Sequence, residues 1–190
     1  MKYLIAGLGN IGTEYELTRH NIGFLVLDRW ADNEKVNFSV ERLASKAEIR
    51  FKGKQFHLIK PSTYMNASGR AVSYWLQQLK IPKENLLVIV DEIALPFGSL
   101  RLKSNGSAGG HNGLKDIELT LGTQDYPRVR VGIGSNYSKG QQVDYVLSNF
   151  SQPEFEELPV VMDNVIKLTE SFATIGIERT MNFFNKKGSK

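Results

Sequence analysis

Short apolar runs alternate along this chain with longer amphipathic stretches, and the two patterns have different periods. Tyr3 to Ala6 is a compact apolar run that ends in glycines, which predicts a buried first strand. From Ile22 to Ala31, Phe24, Leu25, Val26, Leu27 and Trp30 crowd one side of a helical wheel while Asp28 and Arg29 fall elsewhere. That periodicity predicts a helix beginning after Gly23. Ser45 to Phe51 sets Ala47, Ile49 and Phe51 against charged neighbours, and Gln55 to Ile59 follows the turn Lys52-Gly53-Lys54, so the pair reads as a hairpin. Leu86 to Val90 is the clearest core strand.

The remaining elements follow from the same periods. Asn66 and Ser68 are candidate caps for a helix reaching about Leu79, which Pro82 closes. Leu100 to Lys103 and Arg128 to Ile133 predict strands, whereas Asn112 to Leu121, Pro153 to Ile175 and Glu178 to Phe184 predict helices. Alternation of the two kinds points to a single α/β domain over residues 1–190, a mixed sheet with helices on both faces and a frayed tail from Asn185 to Lys190. No internal repeat, low-complexity tract or long linker divides it.

Composition narrows the class. The chain has 190 residues, 41% hydrophobic and 23% charged, which is ordinary for a globular domain. It contains no cysteine, so disulfides, thiolate nucleophiles and thiolate zinc sites are excluded. Lys and Arg number 24 against 20 Asp and Glu, a net charge of +4 that mildly favours an anionic partner. The N-terminal segment reads as mature protein, and no apolar run approaches the roughly 18 residues of a membrane span. A cytoplasmic protein is the expectation.

Gly7-Leu8-Gly9-Asn10-Ile11-Gly12 follows the first strand and matches a dinucleotide-binding fingerprint. The context disagrees with that reading. Thr13 to Asn21 lacks an apolar helical stripe, and Asp28 and Asp32, the acidic candidates for a ribose contact, lie inside a predicted helix. Glycines making a tight turn explain the motif equally well.

Polar residues instead gather where strands end. Asn10, Tyr15, Arg19, His20 and Asn21 occupy the loop after the first strand. Imidazole is neutral at physiological pH often enough to take a proton from water, which makes His20 a candidate base; a loop histidine on its own is more often exposed or capping. Asp91-Glu92 ends the strongest core strand, where a carboxylate reaches a crevice on a rigid backbone and can orient His20. Lys60-Pro61-Ser62-Thr63-Tyr64-Met65-Asn66 follows a third strand, and Gly106-Ser107-Ala108-Gly109-Gly110-His111-Asn112-Gly113 can expose backbone N–H groups to a ligand. His57, inside the hairpin, reads as structural. Serine-hydrolase and zinc-protease signatures are missing.

These blocks, in this order, resemble the bacterial peptidyl-tRNA hydrolase family. The glycine loop that ends in His111-Asn112-Gly113-Leu114 is the most specific of them. The resemblance implies hydrolysis of the ester between a peptide and the terminal ribose of tRNA by a monomeric α/β domain with a twisted mixed sheet and no metal or other cofactor. It implies His20 as the catalytic base, Asp91 as its supporting carboxylate, and Asn10, Asn66 and Asn112 as amides that position substrate or water. Met65 and His111 are implied as pocket-lining, with Tyr15 and Tyr64 beside them. Arg101, Lys103, Arg128 and Arg130 alternate on two predicted strands and form a candidate basic face, and the resemblance places Lys103 and Arg130 on the tRNA 5′-phosphate. Two loop positions depart from the family: Ile11 and Ser135-Asn136 stand where proline is usual, which alters backbone stiffness without removing a chemical group. A non-catalytic RNA-binding module, stacking bases on Tyr15 and Tyr64, is the rival reading, and a nicotinamide-dependent oxidoreductase stands third.

Overall fold

The computed structural model describes residues 1–185. In chain order its elements are β1 (Lys2–Gly7), α1 (Ile22–Asn33), β2 (Ser39–Glu41), β3 (Ala44–Phe51), β4 (Lys54–Pro61), α2 (Ser68–Leu79), β5 (Leu86–Glu92), β6 (Leu100–Lys103), α3 (Asn112–Leu121), β7 (Arg128–Gly132), α4 (Gln142–Val146), α5 (Gln152–Ile175) and α6 (Ile177–Phe184). The strands make one seven-stranded mixed sheet in the order β2-β3-β4-β1-β5-β7-β6. β1 pairs in parallel with β4 and β5, and β5 in parallel with β7. The β3–β4 hairpin and the β6–β7 pair are antiparallel.

Strand composition tracks position in this order. Central β5 begins with five consecutive apolar residues because both of its faces are covered. Along β1, Tyr3 and Ile5 enter a core with Leu27 and Trp30 of α1 and Val165 and Phe172 of α5, while Leu4 and Ala6 enter the opposite core with Val72 and Trp75 of α2 and Leu114 and Ile117 of α3. Helices therefore cover both faces, as the alternation of periods predicts.

The first glycine motif has a packing role. A Cβ on Gly7 would lie 2.3 Å from the Gly23 carbonyl oxygen, and a Cβ on Gly23 would lie 2.4 Å from the Leu8 nitrogen. Two backbones thus cross in direct contact where β1 ends and α1 begins. Between them the chain makes two short 3-10 turns, Thr13–Tyr15 and Arg19–Asn21, instead of the long helix a dinucleotide fold places there.

Some elements escape the sequence pattern. β2 is a fully exposed edge strand with no apolar alternation to announce it, and α4 is a single short helix. The start of α2 also differs: a 3-10 turn, Met65–Ala67, runs into the helix, and Ser68 Oγ donates to the Met65 carbonyl at 2.7 Å instead of capping. Asn185, expected in a frayed tail, is anchored. Its Oδ1 accepts from Leu102 N–H and its Nδ2 donates to the Leu102 carbonyl, both at 2.9 Å, so its amide pairs with edge strand β6 as another strand would. The rest of that expected tail lies outside the described residues.

His57 is the misfit in the hairpin core. It is 3% exposed, and neither ring nitrogen has a hydrogen-bond partner among the described residues. Burial, reinforced by the nearby Lys46 charge, pushes its pKa down from 6.5 to about 4. The unfolded chain therefore binds a proton between these values that the folded chain refuses. The associated stability is complete above pH 6.5 and is lost as pH falls toward 4, on the order of 2 kcal/mol by pH 5. Urea unfolding at pH 7 and pH 5 is expected to reveal a smaller acid-induced drop in His57→Leu than in the parent; equal drops would assign the acid sensitivity elsewhere.

Candidate active site

The site forms where the parallel strands end, at the crevice in which open α/β sheets place ligands. Asp91, next to last in β5, is buried and shares its carboxylate between two histidines. His20 Nδ1 lies 2.8 Å from Asp91 Oδ2, and His111 Nε2 lies 2.8 Å from Asp91 Oδ1. The two rings sit side by side with centroids 5.3 Å apart. His20 arrives on the 3-10 turn after β1, and His111 is the N-cap of α3.

Hydrogen bonding assigns the tautomers. His111 Nδ1 accepts from the N–H groups of Gly113 at 3.1 Å and Leu114 at 3.4 Å, so its proton resides on Nε2 and is donated to Asp91. With the other carboxylate oxygen against His20 Nδ1, that nitrogen is also the donor, and the lone pair of His20 remains on Nε2. Burial alone would push the Asp91 carboxyl up, but the charge and hydrogen bonding of His111 and His20 outweigh it. They hold the group well below the usual carboxylate range, and it stays anionic.

Asn10 is held from three directions. Its N–H donates to Asn21 Oδ1 at 2.8 Å, its carbonyl accepts from Asn21 Nδ2 at 2.9 Å, and its side-chain Oδ1 accepts from Met65 N–H at 2.7 Å. With Oδ1 occupied, Nδ2 is the face of the amide left to donate toward a ligand. Tyr64 helps to aim the Met65 N–H: it adopts φ +62°, a left-handed conformation that a bulky residue takes only under constraint. Gly113 keeps the histidine close to this wall, because a Cβ there would meet both Leu8 Cδ1 and Met65 Sδ at 2.7 Å.

Asn10, His20, Asp91 and His111 border a cavity of about 470 Å³ that Tyr15, Tyr64, Met65, Asn66, Glu92 and Asn112 also line. Asn66 and Asn112 are exposed, and their side-chain amides make no protein hydrogen bond among the described residues. Val143, Val146 and Leu147 of the α4 segment form an apolar wall that the sequence reading missed. Their spacing of three and four residues is the helical signal that could have found it, in a segment too short to stand out. Arg19 lies outside this cavity. Its guanidinium stacks over Tyr145 at 4.2 Å, donates to Ser148 Oγ at 2.5 Å and pairs with Glu154 Oε1 at 2.9 Å. It thereby ties the His20 turn to the α4 wall and to the capping box of α5.

The expected basic face needs correcting at one residue. Arg101 is opposite Arg130 and Lys103 opposite Arg128, so all four side chains leave the same side of the sheet. The Gly106 to Ala108 loop folds over that side, however. Arg128 is 0% exposed and spends its guanidinium on the carbonyls of Gly106, Gln124 and Tyr126 at 2.6–3.1 Å, which removes it from any phosphate surface. Arg130 is half-buried, pairing with Glu92 at 2.9 Å and donating to the Ser107 carbonyl at 2.6 Å. Lys103 is exposed and Arg101 partly so.

Ligand atoms of His20, Asp91 and His111 lie within 4.8 Å of one another. As a donor set they suit one another better than a cation, since His111 commits both nitrogens to protein partners and each histidine turns an N–H toward the carboxylate. Among the described residues no helix is long and apolar enough to cross a membrane.

Comparison with known proteins finds relatives over nearly the whole chain. The chain is 56% identical over 187 residues to the peptidyl-tRNA hydrolase of Cytophaga hutchinsonii, covering 98% of this chain and 100% of the relative. It is 42% identical over 183 residues to that of Desulfitobacterium hafniense, covering 96% and 99%. The crystal structure of peptidyl-tRNA hydrolase from Acinetobacter baumannii superposes with a TM-score of 0.89 at 32% identity, over 97% of this chain and 94% of that one. With the peptidyl-tRNA hydrolase family model matching residues 4–190, this chain belongs to the peptidyl-tRNA hydrolase family.

Proposed function

We propose that this protein hydrolyses the ester joining a peptide's carboxyl group to the 3′-terminal ribose of tRNA, with His20 as general base on water, in the cytoplasm and as a monomer without a cofactor. The observation that carries the reading is the Asp91 carboxylate held between two histidines, which orients His20 with its Nε2 lone pair free beside the cavity. Nε2 takes a proton from water as the oxygen adds to the ester carbonyl, and the resulting imidazolium faces an anionic Asp91 that stabilises it. Asn10 Nδ2 is a fixed donor for the attacking water or the developing oxyanion. On collapse of the tetrahedral intermediate the imidazolium returns its proton to the departing ribose oxygen. His111 acts as a positioning residue through Asp91. Asn66 and Asn112 supply amides for the peptide units, and Tyr15, Tyr64 and Met65 supply contact surface.

Selection for tRNA falls to Lys103, with Arg101 and Arg130 beside it. Arg130 reaches a phosphate only by exchanging its Glu92 partner, so its share is smaller than that of exposed Lys103.

On peptidyl-tRNA, His20→Ala is expected to lower kcat by about 10²-fold or more with tRNA binding nearly unchanged. Asp91→Asn is expected to lose as much. His111 donates from Nε2, so the new amide NH₂ must turn to His20, where it forces the proton onto Nε2 and removes the base. Near-full turnover of either variant would remove that residue from the mechanism, and binding of tRNA with no ester cleavage by the parent would favour the RNA-binding module.

Lys103→Ala is expected to weaken tRNA binding and to reduce the salt slope by about one unit while sparing a minimal ester that lacks the tRNA body. Equal losses on both substrates with an unchanged slope would deny it a phosphate contact.

A further inference from the structure

A second cavity of about 360 Å³ lies on the far side of Asn10, which lines both. Asn10 is a rigid partition between them, with its backbone fastened to Asn21 on one side and its side chain to Met65 on the other. Phe24 and Leu25 of α1 give the second cavity an apolar surface, and Ile11 and Leu17 stand at it 40% and 44% exposed. Of its charged lining, the Lys60 ammonium pairs with Asp28 at 2.5 Å while lying 5.8 Å from the Phe24 ring centroid, and Glu16, an exposed residue, adds a carboxylate outside that pair.

Strand order gives this cavity a direction. The basic residues proposed for tRNA lie on β6 and β7, at one end of the sheet, and the histidine pair lies at the end of β5. The second cavity draws Ser45 from β3 and Lys60 from β4, at the opposite end. An ester held at His20 with its ribose toward β7 sends its acyl chain the other way, past Asn10.

Resting on the function proposed above, we propose that this cavity is a subsite for the peptide beyond the residue esterified to tRNA, and that it takes an uncharged, apolar side chain of an extended segment. Four extended residues span about 13 Å, and Asn10 is a wall of both cavities. Binding energy gathered there selects long peptides over single N-blocked residues and acts on KM.

The test is a series of N-blocked esters of tRNA carrying one to four residues, the upstream ones leucine. In the parent protein kcat/KM is expected to rise at least five-fold from one residue to four, mainly through KM. The double variant Ile11→Ala, Leu17→Ala is expected to lose most of that gain, and so is Ser45→Trp, which fills the cavity from β3; thermal unfolding identifies variants that fold. A four-residue advantage that survives in both folded variants, or no advantage in the parent, would overturn the subsite. Failure of the parent to cleave even the one-residue ester would overturn the proposed function itself, and the subsite with it.

Discussion

A carboxylate buried as deeply as that of Asp91 persists only if both oxygens find donors, and this requirement organises the centre of the molecule. The donors are His20 and His111, 91 residues apart in sequence: His20 reaches Asp91 because β1 and β5 are parallel neighbours, and His111 reaches it on the loop that runs from β6 back to the start of α3. Each histidine thereby has one nitrogen assigned. For His111 the remaining nitrogen is consumed by the first amides of α3, so that residue is a fixture. For His20 the remaining nitrogen is left to the cavity. One ionised group therefore determines the tautomer of both rings, and the asymmetry between a helix cap and a short turn determines which ring is available for chemistry.

Close backbone packing supports that arrangement. Contact between Gly7 and Gly23 lets α1 start directly against the end of β1, which confines the intervening segment to short turns and brings Asn10 and His20 to the same crevice. On the other side, Arg128 grips carbonyls at Gly106, Gln124 and Tyr126, and Arg130 grips the carbonyl of Ser107. Carbonyls of a glycine-rich loop that no strand or helix satisfies are answered by β7 guanidinium groups, and the loop leading to His111 is held without secondary structure of its own. Arg19 does the corresponding work for the α4 wall. Three arginines that raise the formal charge thus serve, wholly or in part, as internal hydrogen-bond donors.

Legibility in the sequence varied with the physical signal. Strands β5 and β6 and helices α1 and α3 were readable because a buried strand or an amphipathic helix imposes its period on the residues that compose it. β2 and α4 were not, since a fully exposed edge strand and a helix of five residues are too short or too polar to carry a period. The basic face was misjudged at Arg128 for a related reason. Alternation reports which side of a strand a residue leaves, and it says nothing about whether a loop distant in sequence covers that side.

By itself the sequence determined an α/β architecture, the absence of cysteine chemistry and the set of polar residues available at the strand ends, because these depend on composition and on local periodicity. Tertiary structure decided which of those residues meet. That Asp91 faces two histidines, that Asn10 turns its Oδ1 to Met65 and so leaves Nδ2 to donate, that Arg128 is interior while Lys103 is exposed, and that Asn185 completes an edge strand all follow from contacts between segments far apart in the chain. Such contacts are fixed by the geometry of packing and by the need of every buried polar group for a partner, and no local pattern encodes them.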